Sequence, residues 1–247
     1  MYEVILYSAI SGSAVLLGAF LGLRFNFSKK FVAYIMGFGS GVLMSAVSID
    51  LMSDAYEKSK NPVLISIFAL MGALFFVFFD YLIDNAGGKH RRTRDAYATT
   101  KESSGLSLFL GTLLDGIPES IVLGITIANG GAAGIVFCIA IFLSNFPEGL
   151  SGTIGMRHSG LQPIKIVMMW TATVILSIAA AVVGYIFLGS SDVSIIVACM
   201  SFASGAVLAV LCDTMIPEAF ELGGRWIALV TVSGFLIAFL LSEILKV

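Results

Sequence analysis

The sequence Asp-Gly-Ile-Pro-Glu-Ser at residues 115–120 and the sequence Ser-Asn-Phe-Pro-Glu-Gly at residues 144–149 repeat one short pattern. Each lies inside an apolar run that is long enough to cross a membrane as a helix. In both copies a glutamate directly follows a proline, and a polar side chain stands four residues before that glutamate. Residues four apart lie one above the other on one face of a helix. The pattern therefore predicts two pairs of side chains that each face one space: Asp115 with Glu119, and Ser144 with Glu148.

The two glutamates would lie at mid-membrane depth, where a charged side chain is costly unless something compensates it. A bound cation is such a compensation. The prolines add oxygen ligands, because each removes one helical hydrogen bond and frees the carbonyl four residues earlier, at Leu114 and Leu143. A structural alternative stays open, since Pro-Glu also marks helix starts where the glutamate serves the amino terminus. Intramembrane acids more often mark function, which favours the cation site.

Composition places the chain among polytopic α-helical membrane proteins. Of its 247 residues, 58% are hydrophobic and only 12% are charged, and soluble domains of this size do not have such a composition. A net charge of −2 gives no indication of nucleic-acid binding. The three cysteines, Cys138, Cys199 and Cys212, stand in apolar runs without metal-motif spacing, which predicts small buried side chains.

Runs of about 20 apolar residues predict eight transmembrane helices, α1 to α8 in chain order. They lie near residues 3–23, 31–53, 62–83, 105–128, 131–155, 164–188, 193–216 and 226–245. The whole chain, 1–247, is then a single transmembrane domain with an all-α fold. A tight Asn-Gly-Gly turn at 129–131 joins α4 to α5. These two helices are therefore predicted to form an antiparallel hairpin that places the two motifs side by side.

Lysine and arginine are distributed unevenly between the two sets of connections. One set holds eleven of them: Arg24, Lys29, Lys30, Lys89, Arg91, Arg92, Arg94, Lys101, Arg157, Lys165 and Arg225. The opposite set holds three: Lys58, Lys60 and Lys246. The positive-inside rule places the eleven in the cytoplasm and both termini outside. The longest connection, 84–104, is predicted to be a solvated cytoplasmic loop, because a metal-sensing loop would be rich in histidine and this one has only His90.

An internal repeat relates two distant segments. Residues 37–57 align without gaps on residues 201–221, with identical Phe, Ser-Gly, Ala and final Glu, and with Asp54 opposite Glu218. Since α2 would run outward and α7 inward, the copies are predicted to be inverted, as in many secondary transporters. Helices α1 to α3 and α6 to α8 would then form two repeats around the α4–α5 hairpin. Chance similarity between two apolar segments is the alternative.

Three further acids lie in or near these repeated segments. Asp50 and Asp213 are predicted toward opposite ends of the bundle, and Glu218 follows a proline near the end of α7. They are candidates for stations on an ion path and equally for interfacial acids beside water.

Together these features resemble the Zrt/Irt-like (ZIP) family of divalent metal transporters: eight helices, both ends outside, a cytoplasmic loop after α3, and a Pro-Glu motif on both α4 and α5. The resemblance covers nearly the whole chain. It implies a metal held between α4 and α5, usually zinc and in some members iron, manganese or cadmium. It also implies import into the cytoplasm across the plasma membrane by an elevator-like movement, often in a homodimer.

Carried over by position, the resemblance implies metal ligands at Asp115, Glu119, Ser144 and Glu148, with Asn145 as a further contributor. Asp115 stands where the family usually has histidine, and Gly116 where it has asparagine. Several bacterial members place an acid on α6, whereas residues 170–188 contain none. A complete two-metal site is therefore not expected.

The ligand types bear on which metal is carried. Zinc favours nitrogen and sulfur ligands, whereas a site made of carboxylates, a hydroxyl and carbonyls is all oxygen and suits harder ions such as Mn²⁺. The family resemblance implies zinc, whereas the oxygen ligands indicate a less selective site that also suits Mn²⁺ or Mg²⁺. The expected transported ion is therefore zinc, with manganese, iron, cadmium and cobalt as further candidates.

Three classes of function are compatible with intramembrane acids. A divalent cation transporter is the leading hypothesis, and its partners are the lipid bilayer and the transported ions, with no prosthetic group. A transport-inactive sensor or regulatory protein is the alternative, because the histidine and the α6 acid are missing. An intramembrane hydrolase is disfavoured, since the sequence has no His-Glu-x-x-His and no serine–histidine pair in an apolar run. The chain is therefore predicted not to be an enzyme.

Overall fold

The computed structural model describes residues 1–25, 27–83, 102–130 and 133–245. Within those ranges there are eight helices that are long and apolar enough to cross a membrane, and no strand. They are α1 (Tyr2–Arg24), α2 (Lys29–Ser59), α3 (Pro62–Ile83), α4 (Glu102–Asn129), α5 (Ala133–His158), α6 (Pro163–Leu188), α7 (Val193–Gly223) and α8 (Ile227–Leu245). The predicted all-α polytopic membrane fold is confirmed.

Helices α2 and α7 extend beyond their predicted ends at 53 and 216. The added turn of α2 is polar, with the Lys58 ammonium 3.0 Å from the Asp54 carboxylate one turn earlier. The length of the apolar run is therefore shorter than the length of the helix. In α7 the predicted apolar run ends at residue 216, directly before Pro217, although proline is usually a helix breaker. Pro217 instead starts a new α-helical segment, where its missing N–H is not needed.

Both long helices contain a π-helical segment, at Ala46–Leu51 in α2 and Leu211–Met215 in α7. A third such segment, Gly184–Leu188, ends α6. π-Helical turns interrupt the regular hydrogen-bond ladder and recur at functional positions in helices. The two segments in α2 and α7 lie at aligned positions of the sequence repeat.

Glycines allow α2 to lie against α8. A Cβ added to Gly41 would overlap the Thr231 carbonyl oxygen, and one added to Gly234 would overlap the carbonyl oxygen of Phe38. Small residues permit such backbone contact between membrane helices, where dispersion and close packing drive association. The α2–α8 pair is therefore tightly joined.

The same contact joins α3 to α7. A Cβ on Gly205 would overlap the Ala69 carbonyl oxygen, and one on Gly72 would overlap the carbonyl oxygen of Phe202. Phe202 and Gly205 are the residues that align with Phe38 and Gly41 in the sequence repeat.

A second set of glycines joins α1 to α5 and α4 to α6. Gly18 approaches the Phe146 carbonyl, and Gly149 approaches that of Val15. Gly124 and Gly184 make the corresponding close contacts between α4 and α6. Each of the two motif-bearing helices, α4 and α5, thus has a neighbouring helix whose backbone contacts its own backbone.

The helices fall into two groups. Helices α1, α4, α5 and α6 contact one another most extensively, and so do α2, α3, α7 and α8. The groups meet where α2 packs on α5 and where α4 packs on α7. The motifs of α4 and α5 therefore lie on helices at this boundary.

The cysteine prediction is correct only in part. Cys138 is buried and its thiol donates to the Tyr7 carbonyl at 3.3 Å, Cys199 is half-buried, and Cys212 is exposed. The expected burial is wrong for Cys212 because apolar runs of a membrane protein face lipid as well as the protein interior.

Candidate metal site

The motif of α4 lies deep inside a continuous helix. Pro118 is an interior residue of Glu102–Asn129, and Glu119 is 4% exposed. The alternative that Pro-Glu marks a helix start is therefore wrong for this copy. Ser120, beside the glutamate, donates its hydroxyl to the Gly116 carbonyl oxygen at 2.7 Å. A carboxyl group almost fully removed from solvent within a membrane-spanning helix requires a compensating partner.

Asp115 is a predicted ligand whose side chain the structure does not describe. Its backbone belongs to α4, and its side chain lies outside the described residues. The predicted pairing of Asp115 with Glu119 therefore stays a prediction.

The motif of α5 has the same setting. Pro147 is an interior residue of Ala133–His158, so the helix-start alternative is wrong here as well. Ser144 is fully buried and donates its hydroxyl to the Ile141 carbonyl oxygen at 3.0 Å. Glu148 is half-buried. A hydroxyl that donates its hydrogen keeps its oxygen lone pairs, so the Ser144 oxygen still has the chemistry of a cation ligand.

Asn145 ties the motif of α5 to α1. Its side-chain nitrogen donates to the Ser11 carbonyl oxygen at 3.4 Å, and the side chain is 8% exposed. Because the amide nitrogen points toward α1, the amide oxygen is the atom that can serve a cation. The orientation of this amide is set by the neighbouring helix and not by the motif itself.

The carbonyl that Pro147 frees lies against α2. A Cβ added to Gly39 would stand 3.0 Å from the Leu143 carbonyl oxygen and 3.3 Å from the Ser144 Cα. Gly39 is thus the residue that lets α2 approach the motif of α5 at the turn where Pro147 has no N–H to donate. Gly39 stands among several small residues in the sequence of α2, and that sequence alone does not show which helix it contacts.

Gly116 has a different environment from the packing glycines. A Cβ placed on it would have the Ser177 hydroxyl oxygen of α6 as its nearest neighbour, at 3.9 Å, which is ordinary van der Waals distance. Ser177 is 8% exposed. The α6 residue opposite the motif is therefore a serine, which sequence reasoning missed because it searched α6 only for acids.

The three candidate path residues have unlike surroundings. Asp50 lies in the π-helical segment of α2, is half-buried, and accepts a hydrogen bond from Ser242 of α8. Asp213 is exposed and accepts from the neighbouring Thr214 hydroxyl at 3.4 Å. Glu218 is 4% exposed and belongs to a third Pro-Glu pair, at the start of the last segment of α7. Both alternatives for Asp50 and Asp213, path station or interfacial acid, stay open.

The predicted ligands lie on two helices that pack against each other. Two of these residues contact a further helix: Ser144 lies beside Gly39 of α2, and Asn145 donates to the Ser11 carbonyl oxygen of α1. Among the described side chains, which exclude that of Asp115, no group of three or more His, Cys, Asp or Glu is placed to hold a metal ion. The metal site stays a prediction.

Comparison with known proteins finds a similar protein in a plant. The chain is 24% identical over 222 residues to a protein of Arabidopsis thaliana named "Putative zinc transporter", and the match covers 88% of this chain. It covers only 35% of that relative, so the chain spans about a third of the length of the curated protein it matches. No family model matches the chain. The eight helices that are long and apolar enough to cross a membrane indicate a multi-pass membrane protein.

Proposed function

We propose that this protein moves divalent metal cations across the membrane into the cytoplasm, as ZIP-type transporters do, through a carboxylate site between α4 and α5. Zinc is the leading substrate, with manganese, iron, cobalt and cadmium as further candidates. Asp115, Glu119, Ser144, Asn145 and Glu148 would supply the ligands.

The burial of Glu119 carries this proposal. A carboxylate 4% exposed in the interior of a membrane-spanning helix is expensive, and such residues mark ion or substrate paths. The second glutamate, Glu148, lies on the helix that packs against α4. Similarity to a protein named as a zinc transporter supports a metal cation as the ion that offsets these charges.

The ligand atoms of the proposed site are expected to bind several divalent metal ions. Ser144 and Asn145 offer a hydroxyl and an amide oxygen, and the glutamates offer carboxylates, so the proposed set holds no nitrogen or sulfur ligand. Oxygen sets bind hard ions, but zinc outbinds manganese at most sites by its intrinsic affinity. We therefore expect zinc to be transported along with several other divalent ions.

The inverted repeat is part of the same proposal, and matched packing supports it. Phe38 and Gly41 of α2 contact α8 as the aligned Phe202 and Gly205 of α7 contact α3. The α8 partners Thr231 and Gly234 are spaced three residues apart, as are the α3 partners, Ala69 and Gly72. Repeats of this kind build sites at their interface in secondary transporters.

Orientation follows from the charged connections. With the eleven-residue basic set in the cytoplasm, both termini face outward and import runs toward the basic side. The two groups of helices, which meet at the motif-bearing α4 and α5, suit a movement of one group against the other.

Uptake into proteoliposomes tests this function. Purified protein would be reconstituted and offered Zn²⁺, Mn²⁺, Fe²⁺, Co²⁺, Cd²⁺ and Mg²⁺ separately, with empty liposomes as the control. Uptake of at least one of the transition metals supports a transporter. Metal binding by calorimetry without any uptake would instead favour the sensor or regulatory alternative.

A further inference from the structure

A long apolar groove runs beside the motif of α4, between α3, α4 and α7, with the end of α6 closing one side. Its volume is about 520 Å³. It extends along α4 from Leu110 to Val122, which is about 18 Å of helix at 1.5 Å per residue. The shape is therefore elongated along the direction in which the helices cross the membrane.

The chemistry of the groove excludes water and ions as its occupants. Every described side chain that lines it is a hydrocarbon except for the thiol of Cys199. A water molecule needs two to four polar partners to occupy a cavity stably, and apolar cavities of this kind stay dry. The groove is therefore not part of a cation path.

The groove opens toward the medium that surrounds the helices. Phe75 and Phe79 of α3 are 37% and 38% exposed, and Ile117 of α4 is 36% exposed. These helices have the length and composition to cross a membrane, so the medium at this level is the hydrocarbon of the bilayer. An occupant that enters from this side is an alkyl chain.

We propose that the groove is a binding site for one acyl chain of a membrane phospholipid. Hydrocarbon side chains on three helices, a length near 18 Å along α4 and an opening to the bilayer fit an alkyl chain lying along the bilayer normal. This inference does not depend on the proposed metal transport.

The bound chain lies against the back of the motif. Leu114, Ile117, Pro118 and Ile121 line the groove, and their spacing of three and four residues makes them one face of α4. Glu119 projects from the other side of the helix, given its angular offset from that face. The acyl chain would thus pack against the helical turn in which Pro118 has no N–H to donate. This contact would stabilise that turn from the side that faces the lipid.

Tryptophan quenching by brominated lipid tests the site. The exposed Trp226 would be replaced by phenylalanine, leaving the fully buried Trp170 as constant background. Phe79→Trp then places a reporter in the groove wall, and Phe78→Trp places one on the neighbouring α3 residue, which is 57% exposed and does not line the groove. Both would be reconstituted in phosphatidylcholine vesicles with bromines midway along the acyl chains, and in unbrominated vesicles for reference.

The deciding comparison adds Ala203→Phe, which fills the groove from the α7 wall. We expect brominated lipid to quench both reporters, and Ala203→Phe to reduce quenching at position 79 while leaving position 78 unchanged. Absence of quenching at position 79, or equal quenching there with and without Ala203→Phe, would overturn the proposal. If Ala203→Phe does not fold, Cys199→Phe fills the same groove from the next turn of α7 and gives the same test.

Discussion

The indole N–H of Trp170 on α6 donates to the hydroxyl oxygen of Thr153 on α5 at 2.7 Å, and both side chains are fully buried. The ring lies over Gly152, where an added Cβ would stand 2.8 Å from it. This bond links the motif-bearing α5 to the helix that also packs against the motif-bearing α4. It gives the two motif helices a shared partner, α6.

We expect Thr153→Val to lower stability by about 1–3 kcal/mol, because it leaves a buried indole N–H without its acceptor at nearly constant side-chain volume. Thermal unfolding in detergent, followed by intrinsic fluorescence, measures the loss. Thr171→Val is the matched control, since Thr171 is exposed and donates only within its own helix. Equal midpoints for Thr153→Val and wild type would show that the bond contributes nothing.

The packing at the repeated segments predicts that Gly41→Ala and Gly205→Ala are equally harmful. In each, a methyl group would overlap a carbonyl oxygen of the facing helix, Thr231 in one case and Ala69 in the other. Backbone cannot yield as a side-chain end can, so we expect losses at or above the upper end of the roughly 1–3 kcal/mol typical of overpacking. Yield and unfolding midpoint of each variant provide the measurement, and a clear disparity between the two would argue against matched packing.

Gly116→Ala should fold normally, in contrast to Gly124→Ala on the same helix. A Cβ at Gly116 meets only the Ser177 hydroxyl oxygen at van der Waals distance, whereas a Cβ at Gly124 would overlap the Ala181 carbonyl oxygen. Alanine also gains up to about 1 kcal/mol of helix propensity over glycine. Monodispersity and unfolding midpoint distinguish the two variants.

Since Gly116 lies in the motif, we further expect Gly116→Ala to change metal uptake without a loss of fold. Unchanged uptake would show that the space facing Gly116 has no part in the site.

Glu119→Gln and Glu148→Gln should each reduce metal uptake by about 10- to 100-fold or more, the loss that follows from removing even an indirect partner of a bound metal. Glutamine keeps the shape of the side chain and removes the charge that holds the cation. The exposed Glu3, at the start of α1, supplies the control variant Glu3→Gln. Uptake would be measured in proteoliposomes at equal protein density, and wild-type rates in either motif variant would refute the proposed site.

Asp115→His should shift preference from Mn²⁺ toward Zn²⁺. Imidazole replaces a hard anionic oxygen by a borderline nitrogen, which favours zinc, and the lost negative charge weakens binding of hard ions. Competition of Zn²⁺ against Mn²⁺ uptake in wild type and variant measures the shift. If Asp115 only hydrates the pathway, both uptakes change by the same factor and the ratio stays as it was.

The sequence determined the class of this protein. Long apolar runs fold as helices in a bilayer because every backbone polar group there must be satisfied within the chain, and the spacing of these runs located eight helices to within a few residues at most ends. The two larger errors, at the ends of α2 and α7, arose where helical structure continues through polar residues and past Pro217. Hydropathy does not predict these terminal helical turns, because packing and local ion pairs stabilise them.

Only the tertiary structure decided which helices touch, and at which residues. Every apolar run here offers small residues. Composition therefore cannot tell that Gly41 contacts Thr231, that Gly39 lies against the Leu143 carbonyl, or that a Cβ on Gly116 would be in van der Waals contact with Ser177. The exposure of Cys212 was equally hidden, because this residue stands in an apolar run of the chain. In a bilayer, lipid and protein interior are both apolar, so a side chain's neighbours in sequence do not say which of the two it faces; helix packing does.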